Sequence, residues 1–184
     1  MLEFNEETHT YYLDGIKLPC VSDILHIIFP NKYKGIDNQI LSNKAHYGSI
    51  VHKAIECLEQ DLEMPEMNIF QELSIEQYKK LKEKYNIEVL SQEQKVHYRE
   101  LYAGTYDMEA NINNIHSLVD IKTTAELDKE YLSWQLSYYE MAIGKRFKKL
   151  YCLWLPKKDL GQLVEVKRKS KKELLKKLEE YYNA

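Results

Sequence analysis

Two short stretches hold residue types that could do chemistry together: Gly-Thr-Tyr-Asp at 104–107, and Val-Asp-Ile-Lys-Thr-Thr at 119–124. Asp120 and Lys122 are two residues apart in an otherwise apolar run. In a strand such residues point to the same face, so a carboxylate and an ammonium project together. Asp107 falls on the preceding strand of the same pattern and can be brought beside Asp120. Two adjacent carboxylates repel unless a cation lies between them, and oxygen donors suit Mg²⁺ or Mn²⁺. A lysine beside them can orient a water or stabilise charge developing on a phosphate. Together the parts suit metal-assisted hydrolysis of a phosphodiester. An isolated Asp-x-Lys is most often an exposed salt bridge, so the neighbours carry the weight.

Those neighbours are Glu93, on the strand before Asp107, and two further pairs. Gln135 and Tyr139 are four apart and share one face of a helix. Gly48 and His52 are likewise four apart, and the glycine lets another backbone or a DNA strand come close.

The elements that must position these residues follow from periodicity and turn chemistry. Tyr11 to Leu18 is predicted as a hairpin around Asp14-Gly15. Ser22 is predicted to cap a short helix that Pro30 ends. A longer helix is expected from about Asp37 to Leu62, with Ile40, Leu41, Ala45, Val51, Ala54, Ile55 and Leu58 at helical spacing. Ser74 with Gln77 suggests a capping box for a further helix through Leu81 and Tyr85. Ile87 to His97, Leu101 to Ile112 and Ile115 to Thr123 read as successive strands, the last two joined at Asn113-Asn114. A helix from about Leu127 to Ile143 and strands at Phe147 to Leu155 and Gln162 to Lys167 follow. Ser170 and Glu173 form a capping box for the final helix. This order gives an α+β fold with a central mixed β-sheet flanked by helices. Residues 1–184 are expected to form a single domain. Its N-terminal hairpin and helical segment, about 1–85, would pack on a catalytic core at about 86–184.

The order GxxxH, Glu, GTxD, DxK-T and QxxxY resembles the RecB-like branch of the PD-(D/E)XK nucleases. Phage recombination exonucleases and the nuclease domains of bacterial end-processing helicases belong to that branch. The opening His-Thr-Tyr-Tyr-Leu-Asp-Gly at 9–15, then Val-Ser-Asp-Ile-Leu at 21–25, is similar to the start of phage-type members. The resemblance spans about residues 9 to 155. It implies a restriction-endonuclease-like core and a metal-dependent deoxyribonuclease, an exonuclease of recombination or DNA end processing. A structure-specific or restriction-type endonuclease, or a catalytically silent DNA-binding module, are the alternatives. It implies that Asp107, Asp120, the carbonyl of Ile121 and His52 hold Mg²⁺ or Mn²⁺, with Lys122 as catalytic lysine. Glu93 would bind a second metal or activate water. Gln135 and Tyr139 would hold the substrate strand or support Lys122, and Thr123 and Thr124 would contact phosphate.

Composition bounds the rest. Of 184 residues 44% are hydrophobic, ordinary for a globular chain, and no run approaches the roughly 20 apolar residues of a membrane span. Three dispersed cysteines, Cys20, Cys57 and Cys152, suit reduced thiols in the cytoplasm and do not match the four-cysteine iron–sulfur pattern of a CRISPR-associated relative. No helicase motif or GxxxxGK[ST] loop is present, so a separate recombination or helicase protein is a possible partner. The net charge of −3 hides an asymmetry, because residues 145–184 hold 13 Lys+Arg against 5 Asp+Glu. A basic end on an acidic chain suggests a polyanion partner such as DNA, or a solvated charged helix beside a basic edge strand. Lys145, Arg146, Lys148 and Lys149, just after the helix of Gln135 and Tyr139, are the first candidate grip on DNA. Lys167, Arg168, Lys169, Lys171 and Lys172 are the second.

Overall fold

In the computed structural model, which describes residues 1–183, a five-stranded sheet runs in the order of the chain. Its strands are β4 (Ile87–Tyr98), β5 (Tyr102–Ile112), β6 (Ile115–Lys122), β7 (Lys149–Trp154) and β8 (Gln162–Glu165). β4, β5 and β6 are antiparallel neighbours, β6 and β7 are parallel, and β8 returns antiparallel on β7. The fold is therefore α+β with a mixed sheet. A smaller antiparallel sheet joins β1 (Leu2–Asn5), β2 (Thr10–Leu13) and β3 (Ile16–Leu18).

Local chemistry accounts for the tight turns. Asp14 and Gly15 link β2 to β3 with φ of 49° and 81°, and Asn113 and Asn114 link β5 to β6 with φ of 48° and 65°. Paired positive φ values match the twist of the flanking strands, which is why Asp-Gly and Asn-Asn stand there. β1 was not expected, since four residues without a turn dipeptide give little periodic signal.

Five helices flank the large sheet. α1 (Val21–Ile28), α4 (Lys129–Ile143) and α5 (Lys171–Tyr182) share one apolar cluster with Tyr102, Tyr106, Leu118, Leu150 and Cys152. α2 (Asn38–Glu59) and α3 (Ile69–Lys84) share another with Met108, Ala110, Ile112, Val119 and Ile121. Two expected caps move. α1 is capped at Cys20, whose N–H donates to Asp23 at 2.8 Å, so Ser22 lies inside the first turn. α3 begins at Asn68, which forms the reciprocal box with Gln71. Ser74 is mid-helix, its hydroxyl donating to the Phe70 carbonyl at 3.2 Å. The Asx-x-x-Gln box six residues upstream caps the helix instead, lengthening it by nearly two turns. Ser170 and Glu173 do box α5 as expected.

One irregularity matters for the site. Tyr106 packs with the α4 layer and Met108 with the α2 layer, although residues two apart in a strand share a face. β5 therefore turns over at Asp107. β4 does the same opposite it, where Glu93 takes a left-handed φ of 49° between the pairs Gln92↔Met108 and Gln94↔Tyr106. A left-handed non-glycine residue inside a strand is a kink that re-aims side chains.

Candidate active site

The turnover aims Glu93 and Asp107 into a cleft of about 670 Å³. His52 reaches the same cleft from α2, one residue beyond the buried Val51 that anchors that helix. Its Nδ1 lies 3.6 Å from Glu93 Oε1 and 3.8 Å from Asp107 Oδ1. One donor atom from each of the three falls within 4.8 Å of the others. Among the described residues, no other three His, Cys, Asp or Glu side chains converge in this way.

The backbone of Ile121 fixes two of them. The β5–β6 ladder stops at Met108↔Val119. Beyond it, the Ile121 N–H donates at 2.6 Å to Asp107 Oδ2 instead of to a strand carbonyl. The Ile121 carbonyl lies 3.0 Å from His52 Nε2. An Nε2–H donated there leaves Nδ1 facing the two carboxylates, the orientation a metal-binding imidazole needs. Burial disfavours a charged His52, but Asp107 and Glu93 outweigh it and raise its pKa to about 9.

Asp120 and Lys122 end β6 on the face toward α4. Asp120 is 1% exposed, and Lys122 Nζ approaches its two carboxylate oxygens at 3.0 and 2.8 Å. The shorter contact is an ion pair of poor hydrogen-bond geometry, leaving Oδ2 without a well-aligned donor. Burial pushes the Asp120 carboxyl up to about 6 even with Lys122 beside it. Burial opposes charge on Lys122 as well, but Asp120 and Asp107 overcome this and raise its pKa, so it stays an ammonium. The expected meeting of His52, Asp107 and Asp120 is thus altered. Glu93 takes the third place, because Lys122 sits on the same face as Asp120 and neutralises it directly.

α4 closes the site. Tyr139 is 7% exposed and forms part of the cleft wall, and burial followed by the charge of Asp107 holds its hydroxyl well above the usual tyrosine range. Gly104 makes room for it: a Cβ there would lie 2.7 Å from Tyr139 Cε1 and 3.2 Å from Val21 Cγ2. Gln135 and Lys122 line a second cavity of about 310 Å³, with Lys32 and Tyr131. The buried Gln135 Oε1 accepts no hydrogen bond.

The remaining candidates scatter. A Cβ on Gly48 would stand 3.5 Å from Thr123 Oγ1, an ordinary contact, so packing alone does not demand glycine there. Thr123 and Thr124 follow Lys122 and line a third cavity, of about 280 Å³. Lys145 and Arg146 line a separate pocket with Lys169 and Lys171, not the cleft of His52, Glu93 and Asp107. Lys145 pairs with Glu109 at 2.8 Å, beside His116 at the start of β6. Four residues of strand separate His116 from Asp120, about 13 Å at the usual rise. Sequence reasoning missed Phe4 and Tyr11 of the small sheet and His9 of the turn between β1 and β2, which line the cleft with Lys53 and Lys95. Tyr11 Oη meets Thr105 Oγ1 at 2.8 Å, a pairing across 94 residues with no local signal.

Two carboxylates and one imidazole form a donor set that fits Mn²⁺ or Mg²⁺ better than a thiolate-seeking ion, whereas the Ile121 carbonyl, expected as a further ligand, is taken up at the Nε2 edge of His52, away from the carboxylates. The spread of 4.8 Å needs only slight contraction around such an ion. No protein-family model and no curated protein matches this sequence. Among solved structures, SSO0001 is similar in fold, with 16% identity and a TM-score of 0.52, over 90% of this chain and 75% of that one.

Proposed function

We propose that this chain is a metal-dependent deoxyribonuclease of the PD-(D/E)XK type, acting as an exonuclease in recombination or DNA end processing. The observation that carries this reading is the His52–Glu93–Asp107 cluster built against the backbone of Ile121, one residue from the Asp120–Lys122 pair. A bound Mg²⁺ or Mn²⁺ would supply Lewis acidity toward a phosphate oxygen. Asp107, His52 and Glu93 would hold it, with Asp120 joining once Lys122 turns to substrate. Lys122 is a charged donor that can orient water or stabilise a pentavalent phosphate. Gln135 offers a buried acceptor beside it to position that water or the strand. Tyr139 walls the cleft and excludes solvent.

Among the described residues no helix is long and apolar enough to cross a membrane. The three cysteines are free thiols, which supports a reducing cytoplasmic setting. The test is release of mononucleotides from end-labelled single- and double-stranded DNA with Mg²⁺ or Mn²⁺. Internal cuts in a circular substrate would move the reading to an endonuclease. Binding without any cleavage would move it to a silent DNA-binding module.

A further inference from the structure

We infer that the cavity beyond the carboxyl ends of β6 and β7 holds an unpaired DNA nucleotide next to the scissile phosphate, with Lys44, Lys157 and Lys158 on the strand's phosphates. This rests on the nuclease reading above. β6 and β7 are parallel, and crevices outside the carboxyl ends of parallel strands are where such sheets take ligands. Thr124 lines both this cavity and the one lined by Lys122 and Gln135, so the two adjoin. The loop after β7 is fixed in place. Leu155 N–H donates to the Lys122 carbonyl at 2.7 Å, and Gln77 Nε2 donates to the Pro156 and Asp159 carbonyls at 3.3 and 3.1 Å.

The lining is apolar at the wall and cationic at the rim. Tyr47, Thr123, Ala125 and Pro156 form the wall, and Lys44, Lys157 and Lys158 stand exposed around it with one carboxylate, Asp159. Lys157 Nζ sits 3.6 Å from the centre of the Tyr47 ring. Among the described residues, none of these three lysines forms an ion pair; of the C-terminal clusters, Lys145, Lys149, Arg168 and Lys169 are each held by a glutamate, while Arg146, Lys148, Lys167, Lys171 and Lys172 are not. A lysine already neutralised gains little from a phosphate, while a free one releases counterions. The Tyr47 ring is covered by Lys157, which leaves the apolar wall of Ala125 and Pro156 to meet a base, and a base still stacked and paired in a duplex cannot enter a pocket. The combination selects single-stranded DNA, or an end that has frayed.

The experiment is fluorescence anisotropy of a labelled oligothymidylate and of a matched duplex, with Ca²⁺ replacing Mg²⁺ to suppress turnover. Wild type, Lys157→Ala with Lys158→Ala, Lys158→Glu, and Lys145→Ala with Arg146→Ala are compared across a salt series. The single strand is expected to bind more tightly than the duplex. The Lys157/Lys158 double variant is expected to weaken it about tenfold and to flatten the salt slope by about two. Lys158→Glu should weaken it further, and the Lys145/Arg146 variant should stay within about twofold. Equal binding of single strand and duplex, or unchanged affinity in the Lys157/Lys158 variant, would overturn the site. A parallel cleavage assay with Mn²⁺ separates the two claims. Cleavage with unchanged binding in that variant would sink this site alone, and binding loss without wild-type cleavage would sink the nuclease reading alone.

Discussion

Lys122 and Asp120 answer each other's charge inside the protein, and His52 answers Glu93 and Asp107. In each case a cation balances carboxylates that would otherwise repel. In the proposed site His52, Glu93 and Asp107 would hold a divalent ion, with Lys122 as the charged donor toward substrate. The ligand and lysine roles separate by titration. Asp107→Asn is expected to lower Mn²⁺ affinity about 100-fold, since it removes a ligand and weakens the hold on Ile121. Lys122→Ala is expected to change it by less than about tenfold. Calorimetric titration measures both, and a larger loss in Lys122→Ala than in Asp107→Asn would reverse the roles. The residue types were readable because Asp-x-Lys on a strand and Gly-x-x-x-His on a helix have fixed faces. Which carboxylates meet was not, because the charge of Asp120 can be satisfied within its own strand.

At the scale of elements, the site exists because β4 and β5 turn over where they carry Glu93 and Asp107. Burial alternates without a break from Gly104 to Ile112, and helices cover both faces, so hydrophobic pattern alone hides the change of face. The strands, the Asn113-Asn114 turn and α4 were legible from short-range chemistry, and the kink was not. Packing of α4 against β5 depends on Gly104. Gly104→Ala would drive a methyl group to 2.7 Å from the Tyr139 ring, backed by Val21. Overpacking of this kind costs about 1–3 kcal/mol, and Tyr139 must shift in the cleft wall. Urea denaturation is expected to show that loss. Wild-type stability in Gly104→Ala would mean that α4 slides freely on the sheet.

Across the whole molecule, charge is distributed less evenly than its total suggests. The basic C-terminal quarter spends several cations on glutamates that are distant in sequence, such as Lys145 on Glu109 and Arg168 on Glu140. Counting charges along the chain cannot separate paired from free lysines. Burial alone would raise the Glu109 carboxyl, but hydrogen bonds from Lys145 and His116 outweigh it and hold it below its ordinary value. A carboxyl depressed in the folded state contributes stability above its unfolded pKa of about 4.3, lost as pH falls through the folded value. Wild type should therefore exceed Glu109→Gln in stability at pH 7, and the gap should close below about pH 4. Denaturation midpoints across that range check it, and a gap that stays constant would mean Glu109 is not linked to pH.

The most direct measurement is the cleavage rate of end-labelled DNA with Mn²⁺, for wild type, Asp107→Asn and Lys122→Ala. Wild type is expected to release nucleotides, to stop on chelation, and to exceed both variants by about 100-fold or more. Cleavage that survives chelation, or persists at the wild-type rate in Lys122→Ala, would contradict the account.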